Sequence, residues 1–443
     1  MAAVTAGRWD DANRLGRLST TLDFASEAVR SIASDNGIGM ESAESPGDGV
    51  AFLSEKVVAE TAMLLLCASA VEHLDEGIHD RVHSLAAALV PHARSDAVLA
   101  AICLDPGLAR DHAVAHIILS RLGYPDRDVD YLLSKSLSLG PDFGPERLPH
   151  RLLEQEWLAR VWPVNETPPR TGALRQSMLG KSLDALGSGR LEIYALTHAV
   201  MYATDFGTRR IALPRRVSAV AADADAALAY CLDGDDYDLS AEVLLTWPML
   251  GIAWSPASIF ALSLLADMED NIGFLPGPEY DPSQYKILPD HERKRFVLAT
   301  SYHTVYVAGF LWACSLREGC SPPPAVRSAR SSNGAASALI LLADANPVPC
   351  RWRHAFDALT PAQQDSIATL VLGIVLRRAT ARGDLGLIRK ALELALVHQL
   401  FNGPAPVQAA ALLRRSKALW VASGIQRPSA ARSQQASGKP DFS

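Results

Sequence analysis

Apolar residues recur along most of the chain at the three- and four-residue spacing of helix faces, and alternating strand patterns are nearly absent. Val58, Ala62 and Leu65 show this spacing. Short Gly, Pro and Asp clusters, such as 123–126 and 233–236, separate the helical segments, and short connections favour antiparallel neighbours. The pattern predicts an all-α protein built as a multi-helix array of α/α hairpins, either an α/α toroid or a solenoid.

Apolar periodicity and turn residues together predict where individual helices begin and end. The predicted helices cover residues 20–34, 49–72, 78–90, 95–104, 108–122, 126–137, 147–161, 173–186, 191–204, 216–231, 240–250, 256–271, 291–317, 335–345, 361–381, 385–401 and 404–422.

Polar and Pro-rich stretches divide this helical pattern into regions. The clearest break is the joint at 163–172, with a smaller polar linker at 42–49 and another break at 321–333. We therefore predict four regions: residues 1–48 as an N-terminal helix and linker, 49–165 as a helical region, 166–424 as a helical region that carries the candidate site, and 425–443 as a disordered tail.

Composition narrows the functional classes. The 443 residues are 49% hydrophobic and 21% charged, with a formal charge of -7 and no long basic tract, so nucleic acid is not an expected partner. The first residues do not show the pattern of a signal peptide, so we do not expect export, and the most apolar run, 62–70, is too short for membrane insertion. Six scattered cysteines without a CxxC motif are typical of a reducing compartment. We expect a cytoplasmic protein.

The first candidate site lies in the segment 196–210. His198, Tyr202 and Asp205 stand at i, i+4 and i+7, so a helix would place them on one face as an imidazole base, a phenol and an orienting carboxylate. The alternative is structural: Asp205 caps the helix or pairs with Arg209 or Arg210, and His198 is a hydrogen-bonded core residue.

The second candidate lies at the end of an apolar helix in 264–278. Asp267, Glu269 and Asp270 crowd its C-terminal end, where the helix dipole disfavours carboxylates unless a cation, a proton or an arginine stabilises them. They could bind Mg2+ or provide an acid with a raised pKa. Their acid-x-acid-acid spacing resembles the acid motif of class II terpene cyclases, which are α/α toroids. The alternative is a solvated helix face.

The third candidate is the segment 301–314. His303 and Tyr306 stand three residues apart, and Tyr302 and Tyr306 four apart, on an otherwise apolar helix. His303 is therefore either a pocket-lining group with a lowered pKa or a satisfied core residue.

These candidates would gain weight if they met in space. Inner helices of a toroid run parallel, so the acids that end two of them would meet at one mouth of the cavity. Arg209 and Arg210 would lie in a loop close by, where they could hold a carboxylate or phosphate of the substrate, although they could equally pair with surface acids.

Two HxxxH pairs form a separate signal. His79 with His83, and His112 with His116, have the spacing that puts two imidazoles on one helix face, as in helical metal sites. The sequence does not identify a third ligand for either pair. Surface or core histidines are the alternative.

Three segments carry a resemblance to known proteins. They are LTHAVMYATDFG at 196–207, LADMEDNIGFLPGP at 265–278 and YHTVYVAGFL at 302–311. Over about residues 50–320 the chain resembles a group of uncharacterised helical proteins of high-GC bacteria, often found among specialised-metabolite genes such as those for antibiotic biosynthesis. The resemblance implies no activity, only that His198, Asp205, Asp267 and His303 lie in the segments typical of the group.

The favoured hypothesis is a cyclase- or lyase-type enzyme of specialised-metabolite biosynthesis that acts on a mostly apolar small molecule, for example by terpenoid cyclisation. His198 and His303 would exchange protons, Asp205 would orient an imidazole, and Asp267 and Asp270 would supply acid or bind a cation. The predicted substrate-binding residues are Tyr202, Arg209, Arg210, Tyr302 and Tyr306. One alternative is a non-catalytic scaffold or carrier that binds a partner protein or peptide. A third possibility is a metal-dependent oxygenase or hydrolase.

Overall fold

The computed structural model describes residues 9–34, 54–139, 146–162, 172–328, 334–344 and 350–423. Within these ranges the regular secondary structure is helical and contains no strand, so the all-α prediction is confirmed. The predicted linker at 42–49, nearly all of the joint at 163–172 and the predicted tail at 425–443 lie outside the described residues.

The first group of helices in the described part of the chain lies before residue 163. They are α1 (Asp11–Ser34), α2 (Ser54–Ser69), α3 (Glu76–Ala93), α4 (Asp96–Leu104), α5 (Ala109–His112), α6 (Val114–Arg121), α7 (Arg127–Leu139) and α8 (Pro149–Val161), with 3-10 turns at Glu72–Leu74 and Pro106–Leu108.

The remaining helices follow residue 172. They are α9 (Ala173–Gln176), α10 (Arg190–Ala203), α11 (Val217–Asp233), α12 (Tyr237–Leu244), α13 (Thr246–Leu250), α14 (Pro256–Ile272), α15 (Pro282–Ile287), α16 (Asp290–Leu316), α17 (Ala335–Asp344), α18 (Arg351–Asp357), α19 (Pro361–Ser366), α20 (Ala368–Ala381), α21 (Leu385–Val397) and α22 (Pro404–Ser423).

The largest difference from the predicted helices is at 173–186, where the helix ends at Gln176 and turns follow. A side chain at Gly180 would approach the carbonyl oxygen of Arg175 to 2.1 Å, so this backbone packs too closely for most residues. Side chains distant in sequence bind the amides of the turns: Asp223 accepts from Leu183 N at 3.0 Å. Tertiary hydrogen bonds thus replace the predicted helical ones.

Helix α16 is the central packing element. It packs against α1, α2 and α12, while α10 packs against α8 and α12, and α6 against α2 and α8. Helices on both sides of the predicted boundary at 165 therefore contact one another. The C-terminal helices α17, α20, α21 and α22 pack together, with α20 and α22 also against α11. The toroid or solenoid arrangement stays a prediction.

The close approach of α1, α2 and α16 depends on one glycine. A Cβ atom at Gly309 would lie 2.5 Å from Thr21 Cγ2 and 2.8 Å from Leu64 Cδ1. Since α2 and α16 carry polar residues of the candidate site, this contact sets the distance between them.

Among the described helices, Asp290–Leu316 alone is long and apolar enough to cross a membrane, and the bent pair α3 and α4 qualifies only when counted as one span. The apolar window of α16 is 78% buried inside the protein. Such burial is typical of a core helix of a soluble protein, whereas cytoplasmic localisation stays a prediction.

Candidate active site

His303 of α16 lies among three carboxylates. Its Nδ1 is 3.0 Å from Oε2 of Glu60 on α2. Its Nε2 is 3.7 Å from Oδ1 of Asp238 and 3.6 Å from Oε1 of Glu242. The last two residues stand four apart on α12, so both reach the same side of that helix.

His198 of α10 contacts the carboxylate of Glu242 from another side. Its Nδ1 lies 3.6 Å from Oε2 of Glu242 and 3.1 Å from the carbonyl oxygen of Tyr194. Thr197 donates its hydroxyl proton to that Glu242 oxygen at 2.6 Å. We call Glu60, His198, Asp238, Glu242 and His303 the carboxylate–imidazole cluster; it joins the two histidines through the side chain of Glu242.

Neighbouring residues hold the cluster in position. Asp238 accepts hydrogen bonds from Arg190 at 2.9 Å and from the hydroxyl of Thr304 at 3.0 Å. Arg190 also pairs with Asp236. Because Asp238 is only 2% exposed, these donors replace the water that would otherwise solvate its charge.

The two histidines have pKa values shifted in opposite directions. Burial alone would lower the pKa of His303, but the charges of Glu60 and Asp238 and a hydrogen bond to Glu242 outweigh it and raise the pKa well above the ordinary value. Burial, with the nearby charge of Arg151, lowers the pKa of His198 well below that value. The cluster therefore contains one charged and one neutral imidazole near neutral pH.

Glu242 contacts both histidines, and its own pKa is subject to opposing influences. Burial raises its pKa, and so does the charge of Asp238, while the hydrogen bonds from His303 and Thr197 oppose the rise. Two titratable groups whose environments separate their pKa values form an acid and base pair. The cluster can thus donate and accept protons within one buried space.

A second polar group extends the cluster towards α8. Glu154 accepts hydrogen bonds from the hydroxyl of Tyr202 and from Arg151, both at 2.8 Å. The ring of Tyr194 stacks on His198, with centroids 3.7 Å apart. Burial and the charge of Arg151 lower the pKa of His150 to about 4.

Space beside the cluster is limited. A cavity of about 10 Å³ is lined by Asp238, Pro278, Glu279, Tyr302 and His303, among others, and it has room for about one water molecule. The backbone N–H of Gly277 donates to Ser301 Oγ at 3.1 Å, which holds the adjoining loop against α16. A larger substrate would reach His303 only if this loop moved.

A roomier cavity lies between α1, α14 and α16. It measures about 350 Å³, and its lining includes Phe24, Glu269, Phe274, Val297 and Leu298. Burial raises the pKa of Glu269, although Arg17 partly offsets the rise. This cavity could accept an apolar molecule, but its carboxylate is already paired.

The cluster could also hold a metal ion. Ligand atoms of Asp238, Glu242 and His303 all lie within 4.8 Å of one another. The contact between His303 Nδ1 and Glu60 would leave Nε2 available, which is the arrangement of many histidine ligands.

Asp205 lies outside the cluster. Its carboxylate binds Arg121 at 2.9 Å, the indole N–H of Trp157 at 2.6 Å and the hydroxyl of Thr208 at 2.8 Å. These donors outweigh burial and lower its pKa. The partner is Arg121 and not Arg209 or Arg210, the partners named in the structural alternative. The carboxylates that contact the imidazoles are Glu60, Asp238 and Glu242, so the geometry does not support the orienting role predicted for Asp205.

The acids at the end of α14 have an arginine partner. Arg17 of α1 binds Glu269 at 2.7 Å and also Asp270, and it lies over the ring of Trp312. Asp267 is exposed. The guanidinium group of Arg17 thus supplies the cation predicted at these acids. The structure gives no support to the prediction that they bind Mg2+. The acids of α10 and α14 are held by different arginines, so the structure does not show the predicted convergence.

The predicted substrate-binding residues are divided between regions. Tyr202 lies beside His198, with ring centroids 5.8 Å apart. Tyr302 and Tyr306 pack edge to face, and the hydroxyl of Tyr306 lies 2.9 Å from that of Thr61. Arg209 and Arg210 line a separate cavity of about 190 Å³, where Arg210 donates to the carbonyl oxygen of Leu250.

The sequence pattern indicated both histidines but not the three carboxylates that contact them. Asp238 and Glu242 stand at i and i+4 in a stretch that otherwise buries apolar side chains, and Glu60 interrupts the apolar pattern of α2. An acidic residue inside an apolar helical pattern is the signal that could have identified these carboxylates as site residues.

The fold and the cluster together define a class: an all-α protein with a buried carboxylate–imidazole centre. A family model described as a domain of unknown function, DUF6895, matches residues 18–313, and the chain belongs to this family. The matched region contains every member of the cluster. Neither the curated proteins nor the solved structures gave a match. The expectations about high-GC bacteria and specialised-metabolite genes stay predictions.

Proposed function

We propose that the protein is an enzyme that performs acid/base chemistry on a small molecule at the carboxylate–imidazole cluster. The observation that carries this proposal is the contact of Glu242 with two histidines from different helices, His198 on α10 and His303 on α16, inside the core. Five titratable side chains from four helices meet there. A purely structural ion pair would need only two of them.

Each histidine has a distinct role in this proposal. His303 is the proton donor, since three carboxylates favour its charged form. His198 is the acceptor: its Nδ1 faces the carbonyl oxygen of Tyr194, so the neutral ring carries its proton there and the lone pair of Nε2 remains to accept another. Glu242 couples the two, and Glu60 and Asp238 are positioning residues for His303.

The sequence resemblance extends this proposal to specialised-metabolite biosynthesis and a mostly apolar substrate. Terpenoid cyclisation is the version with less support, because it would use Asp267 and Asp270 as acids. Arg17 already binds Asp270 and its neighbour Glu269.

The test is turnover of metabolites by the purified protein. A small-molecule extract of the source organism is incubated with wild type, with Glu242→Gln and with His198→Gln, and metabolites are followed by untargeted mass spectrometry. Glu393→Gln is the matched control, because Glu393 is an exposed residue of α21 and the chemical change is the same. Circular dichroism verifies that each variant is folded.

We expect at least one metabolite to be converted by wild type and by Glu393→Gln, with the rate reduced about 100-fold or more in both cluster variants, the loss typical of a missing acid or base. Conversion that persists in folded Glu242→Gln and His198→Gln would refute the proposal. If conversion were lost in Asp267→Asn instead, the acids at the end of α14 would be the site of the reaction.

One observation favours the alternative of a non-catalytic scaffold or carrier. Large apolar side chains are exposed on the last two helices, namely Leu396, Val397, Val407, Leu419, Trp420 and Val421. These helices lie outside the family match. Absence of any cluster-dependent conversion, together with loss of cellular function on truncation after residue 384, would favour this alternative.

A further inference from the structure

One of the two HxxxH pairs acquires a third potential ligand in the structure. His79 and His83 stand one turn apart on α3, and their ring centroids are 4.3 Å apart. The 3-10 turn Glu72–Leu74 precedes this helix, and Asp75 caps the helix by accepting from Ile78 N.

The carboxylate of Glu72 points between the two imidazoles. Its Oε2 lies 3.6 Å from His79 Nδ1 and 3.6 Å from His83 Nε2. Within the described part of the chain, this oxygen is shielded from solvent and has no hydrogen-bond partner. Leaving a shielded carboxylate oxygen without a donor is costly. A bound cation would remove that cost.

The orientation of His83 suits metal binding. The hydroxyl of Tyr124 donates to the carbonyl oxygen of His83 at 3.2 Å, so its oxygen can accept from His83 Nδ1, which is 3.0 Å away. A proton on Nδ1 leaves the lone pair of Nε2 directed at Glu72. Histidine ligands commonly donate their second N–H in this way.

The separations also fit a small divalent ion. At 3.6 Å the contacts with Glu72 are too long for hydrogen bonds. Bonds of about 2.1 Å to a tetrahedral zinc ion give ligand separations of about 3.4 Å. All three donor atoms lie within 4.8 Å of one another. His79 is 52% exposed, so water could complete the coordination shell.

From this geometry we propose that Glu72, His79 and His83 bind a divalent transition-metal ion of the zinc(II) class, with solvent at the open position. Three protein ligands and one open position are typical of exchangeable or catalytic zinc sites. The site is separate from the carboxylate–imidazole cluster, so this proposal does not depend on the proposed function.

The experiment is calorimetric titration of the chelator-treated full-length protein with Zn2+ near neutral pH. The ligand variants are Glu72→Gln, His79→Gln and His83→Gln. His354→Gln is the matched control, because His354 is an exposed histidine on α18. Glu242→Gln tests the cluster as the other candidate metal site. Co2+ absorption in the visible range reports the coordination geometry.

We expect one Zn2+ per chain, with affinity reduced by more than about 100-fold in each ligand variant and unchanged in His354→Gln and Glu242→Gln. Tyr124→Phe should weaken binding by about tenfold without changing the Co2+ spectrum, since it removes only the partner of His83. Retained affinity in His79→Gln and His83→Gln, absence of Zn2+ binding, or loss confined to Glu242→Gln would each overturn the proposal. Because the three residues are partly exposed, their variants should fold, which thermal melting verifies.

Discussion

The carboxylate–imidazole cluster and the Glu72 site both bring histidines to carboxylates, yet they differ in burial and in partners. In the cluster, Asp238 and Glu242 are each 2% exposed and receive hydrogen bonds from arginine or hydroxyl groups. At the surface, Glu72 faces two imidazoles without such a donor to the inner oxygen among the described residues. Histidines and carboxylates thus satisfy one another inside the core in the cluster, whereas at the Glu72 site a carboxylate oxygen remains available for a ligand.

The largest expected effect comes from removing Arg190, the arginine that binds Asp238 of the cluster. Arg190→Ala would leave Asp236 and buried Asp238 without their shared guanidinium, and we expect the free energy of unfolding to fall by about 3 to 5 kcal/mol in urea titrations.

The control for that loss is Arg353→Ala, which removes an arginine from a more exposed pair with Asp357 and should cost about 1 kcal/mol or less. Equal losses in the two variants would show that burial does not distinguish the cluster from the surface.

Protonation of His150 at low pH should also destabilise the protein, by less than the Arg190→Ala substitution. Its pKa is about 4 in the fold and near 6.5 in the unfolded chain, so the unfolded chain binds the proton first as pH falls. The free energy of unfolding should be fully retained above pH 6.5 and fall by up to about 3 kcal/mol on acidification to pH 4. His150→Gln should show a shallower decline in urea titrations at several pH values.

The charged histidine of the cluster should behave in the opposite way. The pKa of His303 is raised, so its contribution is fully present below the unfolded value near 6.5 and is lost as pH rises through the folded pKa. Glu242→Gln should lower this pKa, as measured by NMR titration of the imidazole carbons, while Glu393→Gln should leave it in place. An unchanged His303 titration in Glu242→Gln would contradict the assigned coupling.

The smallest effect on stability is expected at the surface. In metal-free buffer, His79→Gln should change the free energy of unfolding by less than about 0.5 kcal/mol, because the ring is 52% exposed and its contact with Glu72 is 3.6 Å long. With Zn2+ at about 100 times its dissociation constant, wild type should gain about 2.7 kcal/mol and the variant almost none. A large loss without metal would indicate a structural role.

The comparison of the two HxxxH pairs shows the limit of spacing as a signal. His79 and His83 meet Glu72, whereas His116 is fully buried, accepts from Arg94 at 3.2 Å and contacts Asp130 at 3.0 Å. Both nitrogens of His116 are therefore engaged by protein groups. The sequence spacing is identical, and only the neighbours contributed by other elements separate a potential ligand from a core histidine.

Helix type and helix face were open to prediction from the sequence because both depend on local periodicity. The segments carrying His198 and His303 were therefore recognised, and α10, α14 and α16 begin and end within a few residues of the predicted bounds. The segment 173–186 was predicted wrongly, since the side-chain oxygens of Asp223 and Gln408 accept hydrogen bonds from backbone N–H groups and stabilise turns there. Local propensity does not include such distant partners.

By itself the sequence determined an all-α protein with histidines on the faces of buried helices, because apolar spacing sets which side of each helix points inward. Only the tertiary structure decided which carboxylate each histidine meets. Glu60 reaches His303 from 243 positions away, and Glu242 joins it to His198 from a third helix. The period of apolar residues determines which face of a helix points inward, but the packing of whole helices determines which residues that face meets. At these sites the neighbouring residues determine the protonation state of each histidine and therefore its possible chemistry.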